Sequence, residues 1–149
     1  MSKKIGIISD THGLLRPEVL KILESCDCIL HAGDVDKESV LDQLRYMGNI
    51  YAVRGNNDKD WAEGLAKTLR FKIDGVEFFM THNKKDIAWD LDSAQIVIFG
   101  HSHKYFEQMI DGRLWLNPGS CGRSRFGGAV TMAVMTIDDG HWTLDRIDL

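Results

Sequence analysis

The chain has 149 residues, a length that favours a single domain over residues 1–149. Hydrophobic residues make up 44% and charged residues 27%, which excludes a disordered, collagen-like or low-complexity chain. Lys and Arg number 18 against 22 Asp and Glu, and a net charge of −4 argues against an extended nucleic-acid-binding surface. No apolar run approaches the roughly 18 residues of a membrane span and no signal-peptide pattern opens the chain, so we expect a soluble, cytoplasmic protein without membrane contact.

The first half of the chain alternates short apolar strands with helical patterns. Strands are predicted at residues 5–8, 28–32 and 50–53. One helix begins at Pro17, because proline at the first helical position loses no needed donor, and Asp36 is expected to cap the next helix. Repeated strand–helix–strand units predict right-handed crossovers and a parallel sheet.

The second half changes to hairpin patterns. Asp74-Gly75, Asp111-Gly112 and Asp138-Asp139-Gly140 each separate two apolar runs, which is a strong signal for a β-hairpin. A further apolar run at 96–99 predicts a buried strand. The chain is therefore expected to be α/β, with a second sheet that is mixed or antiparallel. The long last hairpin has a free edge that could pair two copies into a homodimer.

Polar side chains stand where five of the predicted apolar strands end. Ligands bind outside the carboxyl ends of strands in open α/β sheets. Seven residues there can ligate a metal: Asp10, His12, Asp34, Asn56, His82, His101 and His103. Seven ligands exceed a closed tetrahedral site and suit two metals that share one carboxylate. The mixed nitrogen and oxygen donors favour Mn²⁺, Fe, Ni²⁺ or Zn²⁺ over Ca²⁺ or Mg²⁺.

Other residues that could carry chemistry are expected to be structural. Cys26, Cys28 and Cys121 are an odd number of cysteines and should be buried or half-buried thiols in a reducing compartment. His31 lies inside the second strand and is predicted to be a hydrogen-bonded core histidine. His141 is expected on the surface of the last hairpin.

The motifs follow one another in a specific order: Asp10-x-His12, Gly33-Asp34, Gly55-Asn56-x-Asp58, His82 and Gly100-His101-x-His103. In this order they resemble the calcineurin-like metallophosphoesterase superfamily. Asn117-Pro118-Gly119-Ser120 further resembles the small bacterial and archaeal phosphodiesterase branch, of YfcE type. The resemblance implies two packed mixed β-sheets flanked by helices, an αββα sandwich with the site at one edge.

The resemblance also implies a ligand set and a mechanism. The first metal would be held by Asp10, His12, Asp34 and His103, and Asp34 would bridge to a second metal held by Asn56, His82 and His101. The implied cofactors are two divalent ions, with Mn²⁺ as the first candidate and Ni²⁺, Zn²⁺ or Fe as alternatives. A hydroxide activated between them would attack a small phosphodiester in line, and the residues assigned to catalysis are Asp34, Asn57, Asp58 and His101.

Two positions depart from the wider family pattern. Asn57 stands where many members carry a proton-donating histidine, and an amide cannot act as an acid at neutral pH. The small branch also lacks this histidine, so activity is still expected, with a preference for good leaving groups. Asp58 either orients the site or is a turn aspartate. After His82 the chain reads Asn83-Lys84-Lys85 instead of Gly-His, and these lysines either attract phosphate or are solvated.

Candidate contacts to the substrate phosphate lie mainly on two later loops. The candidates are Asn56, Lys84, Asn117, Gly119, Ser120, Arg123 and Arg125. Backbone N–H groups of the Asn-Pro-Gly-Ser turn could face an oxyanion, and the arginines could clamp it. A tight turn followed by a solvated loop explains the same residues equally well.

Three functions remain open from the residues. The leading hypothesis is a metal-dependent phosphodiesterase acting on small phosphodiesters. A phosphomonoesterase or nucleotide phosphatase could use the same site. A non-catalytic protein-binding scaffold, like the retromer subunit with this fold, is allowed by Asn57 but disfavoured by the complete ligand set.

Overall fold

The computed structural model describes residues 2–124 and 127–149. Its elements in chain order are β1 (Ser2–Ile8), α1 (Pro17–Glu24), β2 (Cys28–His31), α2 (Glu38–Met47), β3 (Asn49–Ala52), β4 (Thr68–Ile73), β5 (Val76–Thr81), β6 (Ile96–Ile98), β7 (Phe106–Ile110), β8 (Arg113–Asn117), β9 (Thr131–Asp138) and β10 (His141–Asp148). Short 3₁₀ turns span Asp60–Ala62 and Lys84–Asp86.

The strands form two mixed five-stranded sheets. The first has the order β10-β9-β1-β2-β3, with β1, β2 and β3 parallel and β9 antiparallel to β1. The second has the order β4-β5-β6-β8-β7, with β5, β6 and β8 parallel between two antiparallel outer strands. The predicted α/β class with two packed mixed sheets is confirmed.

The two sheets pack face to face around one apolar core. Its larger fully buried members are Ile5, Ile7, Leu30, Phe78, Met80, Ile96, Ile98, Leu114, Leu116, Met135 and Ile137. Side chains alternate across each strand, so one face of each sheet supplies this layer. The rings of Tyr51, Phe71 and Phe78 stack across it, with centroid distances of 4.3 Å and 5.1 Å.

The outer faces of the two sheets are covered differently. Helices α1 and α2 pack on the first sheet through Val19, Leu23, Leu41 and Leu44. The outer face of the second sheet packs against the segment at 87–94. This segment is not an α-helix and comes directly after the 3₁₀ turn at Lys84–Asp86. Among the described residues, no helix is long and apolar enough to cross a membrane.

The three predicted hairpins are confirmed, and their turns explain why. Asp74 and Gly75 have φ of 46° and 85°, and the Asp-Gly pairs at 111–112 and 139–140 likewise have positive φ at both positions. This is the geometry of the tight turn that matches the twist of paired strands. The last hairpin joins the first sheet, where β9 lies beside β1 and β10 forms an edge.

The predicted start of the first helix is confirmed, whereas the predicted cap of the second is wrong. Pro17 occupies the first turn of α1, as predicted. The predicted cap at Asp36 is wrong, because α2 begins after Lys37 and has no side-chain cap. Asp36 instead has a φ of 71°, and its carboxylate turns toward His12.

The three cysteines and His31 are buried or half-buried as predicted, and His141 is exposed on the last hairpin as predicted. Cys26 is half-buried, Cys28 and Cys121 are buried, and all three are free thiols. His31 is completely buried, and its Nδ1 accepts the Gly33 amide hydrogen at 3.0 Å. The ring proton must therefore sit on Nε2, which lies 3.0 Å from the Thr11 hydroxyl. Burial lowers the pKa of His31 to about 4, so the ring is neutral at pH 7.

Candidate metal centre

The loops that follow β1, β2, β3, β5 and β6 meet at one edge of the sandwich. Because β1, β2 and β3 are parallel, and β5 and β6 are parallel, their carboxyl ends converge there. Backbone bonds tie the loops in pairs: the Asp10 amide donates to Gly33 O at 3.0 Å and the Gly100 amide donates to His82 O at 2.9 Å. The polar residues at these strand ends are thus held by main-chain contacts before any ligand is considered.

Six of the seven predicted ligands form two compact groups. Asp10, His12 and His103 form one group, and Asp34, His82 and His101 form the other, with ligand atoms in each group within 4.8 Å of one another. Asp34 Oδ2 lies 3.1 Å from His82 Nε2 and 3.7 Å from His12 Nε2, so it faces both groups. Asn56, the seventh, is exposed and lines a cleft beside His82.

Buried atoms without hydrogen-bond partners show that these residues fit a cation. Asp10 Oδ1 and His82 Nε2 are both buried and make no hydrogen bond, although each lies within ion-pair distance of other ligand atoms. Asp10 Oδ1 lies 3.3 Å from His103 Nε2, 3.5 Å from His12 Nε2 and 3.8 Å from His82 Nε2. Native proteins rarely leave such atoms unsatisfied, because each costs the desolvation of a polar group. The converging nitrogen and oxygen atoms suit divalent transition metals.

The pKa values of the two buried carboxylates are lowered by imidazoles. Burial alone would raise the pKa of Asp10, but His103 and His12 hold it well below its usual range. Burial would also raise the pKa of Asp34, but the contact with His82 lowers this pKa below its usual value. Asp10, followed by Asp36, raises the pKa of His12 to about 9. At pH 7 the two carboxylates are therefore ionised, and His12 carries a proton that a bound cation would displace.

Two contacts behind the ligands orient the imidazoles. His82 Nδ1 donates to Ala32 O at 2.7 Å, which leaves Nε2 of the neutral ring free to face the centre. His12 Nδ1 lies 2.7 Å from Asp36 Oδ2 and is oriented in the same way. Sequence reasoning missed this role of Asp36. The available signal was a second carboxylate two residues after Asp34, on the same loop.

Asp58 holds the loop that carries Asp34. Its carboxylate accepts hydrogen bonds from the backbone N–H groups of Asp34 at 3.1 Å, Asp36 at 2.8 Å and Gly55 at 2.8 Å. These bonds join the loops after β2 and β3, which favours the orienting role over a simple turn. The backbone N–H of Asn57 donates to Asp34 Oδ1 at 2.9 Å, and Asn57 also lines a cleft together with His12.

The backbone at the site is unusual. Six of its residues have positive φ: Asp10, His12, Asp34, Asp36, His101 and His103. Non-glycine residues rarely adopt this conformation, and such outliers concentrate at functional sites. Two glycines allow close approach: a Cβ on Gly55 would lie 2.2 Å from Asp34 Oδ1, and one on Gly100 would lie 2.8 Å from Asp10 Oδ2. These distances explain physically why glycine stands before Asn56 and before His101.

The Asn-Pro-Gly-Ser turn supports the site from behind. Asn117 Nδ2 donates to Gly100 O at 3.1 Å, and Ser120 Oγ donates to Asp10 O at 3.0 Å. The Gly119 amide, proposed above for an oxyanion, already donates to Asn117 Oδ1 at 2.9 Å. All three residues are buried. Their part in phosphate binding stays a prediction, and these contacts favour a bracing role instead.

The remaining phosphate-binding candidates line separate clefts around the centre. Arg123 lines a cleft of about 330 Å³ together with His12 and His103. Lys84 lines another, beside His101. Arg125 lies outside the described residues.

Comparisons with known proteins identify the family of the chain. The calcineurin-like phosphoesterase superfamily domain matches residues 3–140. A phosphodiesterase of Methanocaldococcus jannaschii is 31% identical over 140 residues, covering 79% of this chain and 84% of the relative. The probable metallophosphoesterase YsnB of Bacillus subtilis is 28% identical over 154 residues, covering 95% and 89%.

Solved structures give the same fold with two different descriptions. A novel archaeal phosphodiesterase superposes with a TM-score of 0.79 at 26% identity, covering 98% of this chain and 99% of that one. Vps29 of Chaetomium thermophilum also superposes at 0.79, at 15% identity with 99% and 97% coverage, which bears on the fold alone. Because the domain match spans residues 3–140, nearly the whole chain, the protein belongs to the calcineurin-like phosphoesterase superfamily.

Proposed function

We propose that the chain is a metal-dependent phosphodiesterase that hydrolyses small phosphodiesters at a centre of two divalent metal ions. The observation that carries this proposal is the pair of ligand groups facing each other across Asp34. The phosphodiesterase name of the Methanocaldococcus jannaschii relative supports a diester as the substrate.

Each ligand group would hold one metal, and Asp34 would contact both. The first metal would take Asp10, His12, Asp34 and His103, and the second would take Asp34, Asn56, His82 and His101. The chemistry supplied there by bound cations is neutralisation of phosphate charge and ionisation of an attacking water. We keep Mn²⁺ as the first candidate, with Ni²⁺, Zn²⁺ or Fe as alternatives, since the donors mix nitrogen and oxygen.

The chain's own residues position the reactants and limit proton transfer. Asp36 and Ala32 O orient the imidazoles, and Asp58 fixes the loop of Asp34. Arg123 can bind a phosphate oxygen from the cleft beside His103. Asn57 offers no acidic proton, so we expect esters with good leaving groups to react fastest.

The test is hydrolysis of bis-p-nitrophenyl phosphate by metal-stripped protein, with and without Mn²⁺, beside the monoester p-nitrophenyl phosphate. We expect Mn²⁺ to restore diester cleavage, and Asp34→Ala and His101→Ala to abolish it. Matched controls are Asp42→Ala and His141→Ala, which remove an exposed carboxylate and an exposed imidazole that belong to neither ligand group. Faster monoester cleavage would favour a phosphomonoesterase. No cleavage with Mn²⁺, Ni²⁺, Zn²⁺ or Fe would favour a protein-binding scaffold.

We also propose that the chain folds as a single domain over residues 1–149, acts in the cytoplasm, and pairs with a second copy through the edge of β10. Light scattering on the purified protein tests the dimer, and a monomeric mass at micromolar concentration would contradict it.

A further inference from the structure

A cleft of about 380 Å³ adjoins the metal centre on the side of His101. We name it the aromatic pocket, after the lining residues Phe99, Tyr105 and Phe106. Lys84 and Lys104 also line it. Its volume lies within the range of small-molecule sites and exceeds what a methyl or ethyl ester group would fill.

The rings of the aromatic pocket are held in place by their neighbours. The Phe99 ring lies 6.1 Å from that of Phe106 and 6.4 Å from that of Trp115. The Tyr105 hydroxyl donates to Glu107 Oε1 at 2.9 Å, and the Arg146 guanidinium lies 4.8 Å from the centroid of the Tyr105 ring. Tyr105 and Phe106 are only half-buried, so their rings remain accessible. A preorganised aromatic wall of this kind suits a planar ring.

The charge at the pocket is positive and locally unbalanced. Lys84 Nζ lies 5.9 Å from the centroid of the Phe106 ring, and Lys104 is exposed on the same lining. Across residues 2–124 and 127–149, no ion pair involves either lysine, and the lining includes no carboxylate. Lys67, in the neighbouring cleft, is by contrast paired with Asp86 at 3.4 Å. The two lysines therefore favour an anionic group on the occupant.

We propose that the aromatic pocket binds a nucleoside substituent of the diester, with the base against Phe106 and a second phosphate of the nucleoside facing Lys84 and Lys104. This inference rests on the proposed function, because the diester phosphate itself would lie at the metal centre. The single charge of a diester leaves the two lysines without a partner, whereas a nucleoside with a further phosphate supplies one. The substrate class is thus a nucleotide diester that carries an additional phosphate.

Three substrates with the same leaving group test the proposal. They are methyl p-nitrophenyl phosphate, thymidine 5′-(p-nitrophenyl phosphate) and thymidine 3′-phosphate 5′-(p-nitrophenyl phosphate). In each, water adds to phosphorus and the P–O bond to p-nitrophenolate breaks, so only the remaining substituent differs. Stacking of one base on an aromatic side chain predicts a KM about tenfold lower for the thymidine ester than for the methyl ester. The added 3′-phosphate should lower KM further.

Variants of the residues that line the aromatic pocket show which side chain causes each decrease in KM. Phe106→Ala, and Phe106→Leu as an apolar substitution that preserves packing, should remove the roughly tenfold decrease in KM that thymidine brings. Lys84→Ala should remove the gain from the 3′-phosphate. The matched controls Lys85→Ala and Trp89→Ala change an adjacent lysine and a fully exposed ring outside the pocket, and should leave all three KM values unchanged.

The outcomes separate this inference from the proposed function. Equal KM values for the three substrates, or equal losses in the Phe106 variants for all of them, would overturn the pocket assignment while the diesterase stands. If no substrate is cleaved with metal restored, the proposed function fails. Titration of metal-free protein with thymidine 3′,5′-bisphosphate, followed by amide NMR, then decides the pocket alone. Shifts at residues 104–106 that Phe106→Leu abolishes support it, and unchanged spectra reject it.

Discussion

Replacing His31 with asparagine should make the fold less sensitive to acid. In the native protein the neutral ring accepts the Gly33 amide hydrogen at Nδ1 and faces the Thr11 hydroxyl through Nε2. Protonation would place hydrogens on both nitrogens and break the bond from Gly33. The oxygen of an asparagine can accept the same amide hydrogen, and it does not titrate.

The size of the effect follows from the shift in the pKa of His31. Burial lowers this pKa from 6.5 to about 4 in the native state, so between these values the unfolded chain binds more protons than the native one. The contribution to stability is therefore complete above pH 6.5 and is lost as the pH falls toward 4. Linkage gives a loss of about 2 kcal/mol at pH 5 and about 3 kcal/mol at full protonation.

The assay is urea unfolding of metal-free wild type and His31→Asn at pH 8, 7, 6 and 5. At pH 8 the variant should be less stable by about 1–3 kcal/mol, because it loses the contact with Thr11 and leaves a small cavity. That difference should shrink by about 2 kcal/mol at pH 5, since all other titrating groups are common to both proteins. His141→Asn controls for loss of an exposed imidazole. A difference in unfolding free energy that stays constant with pH would refute the assignment of His31 as a neutral core histidine.

Three further predictions concern the metal centre and its surroundings. Asp36→Asn weakens the hydrogen bond that orients an imidazole and should lower Mn²⁺ affinity about 10- to 100-fold by calorimetry, whereas unchanged affinity would contradict that role. Gly55→Ala places a methyl group 2.2 Å from Asp34 Oδ1 and should abolish diesterase activity while the circular dichroism spectrum stays native. The control Gly64→Ala, whose methyl group would have nothing within 4 Å, should leave activity unchanged. Equal activities of the two variants would show that the close approach at Gly55 is not needed. Burial raises the pKa of Cys121 to about 12, so iodoacetamide at pH 8 should label it only after unfolding, and labelling of the native protein in peptide mass spectra would disprove its burial.

The fold was predictable where local signals decide it. Asp-Gly pairs favour turns with positive φ, and all three predicted hairpins form at such pairs. The pairing of β9 with β1 was not predictable, because an apolar strand does not encode which distant strand it joins. That choice depends on packing across the whole sandwich. The cover of the second sheet was missed for the same reason, since segment 87–94 is held by apolar contacts rather than by a helix.

The site was predictable as a set of ligand-capable side chains at strand ends. The residues alone did not divide these side chains into two sets, because that division depends on the three-dimensional arrangement of both sheets; the two sets given above came from the family resemblance. The role of Asp36 was missed, because an aspartate just before a helix can either cap the helix or contact another loop. The positive φ of Asp36, which the sequence does not reveal, turns its carboxylate toward His12. The hydrogen bonds from Asn117 to Gly100 and from Gly119 to Asn117 were also not predictable, since the same residues can face either a ligand or other parts of the protein.

The number and coupling of bound manganese ions test the two-metal centre most directly. Metal-stripped protein is equilibrated with Mn²⁺, the bound metal is counted by mass spectrometry, and its electron paramagnetic resonance spectrum is recorded. Two ligand groups that meet at Asp34 predict two ions per chain with a spin-coupled signal, and His101→Ala should leave one uncoupled ion. One ion per chain at saturation in the wild type, or two ions without coupling, would contradict a shared centre.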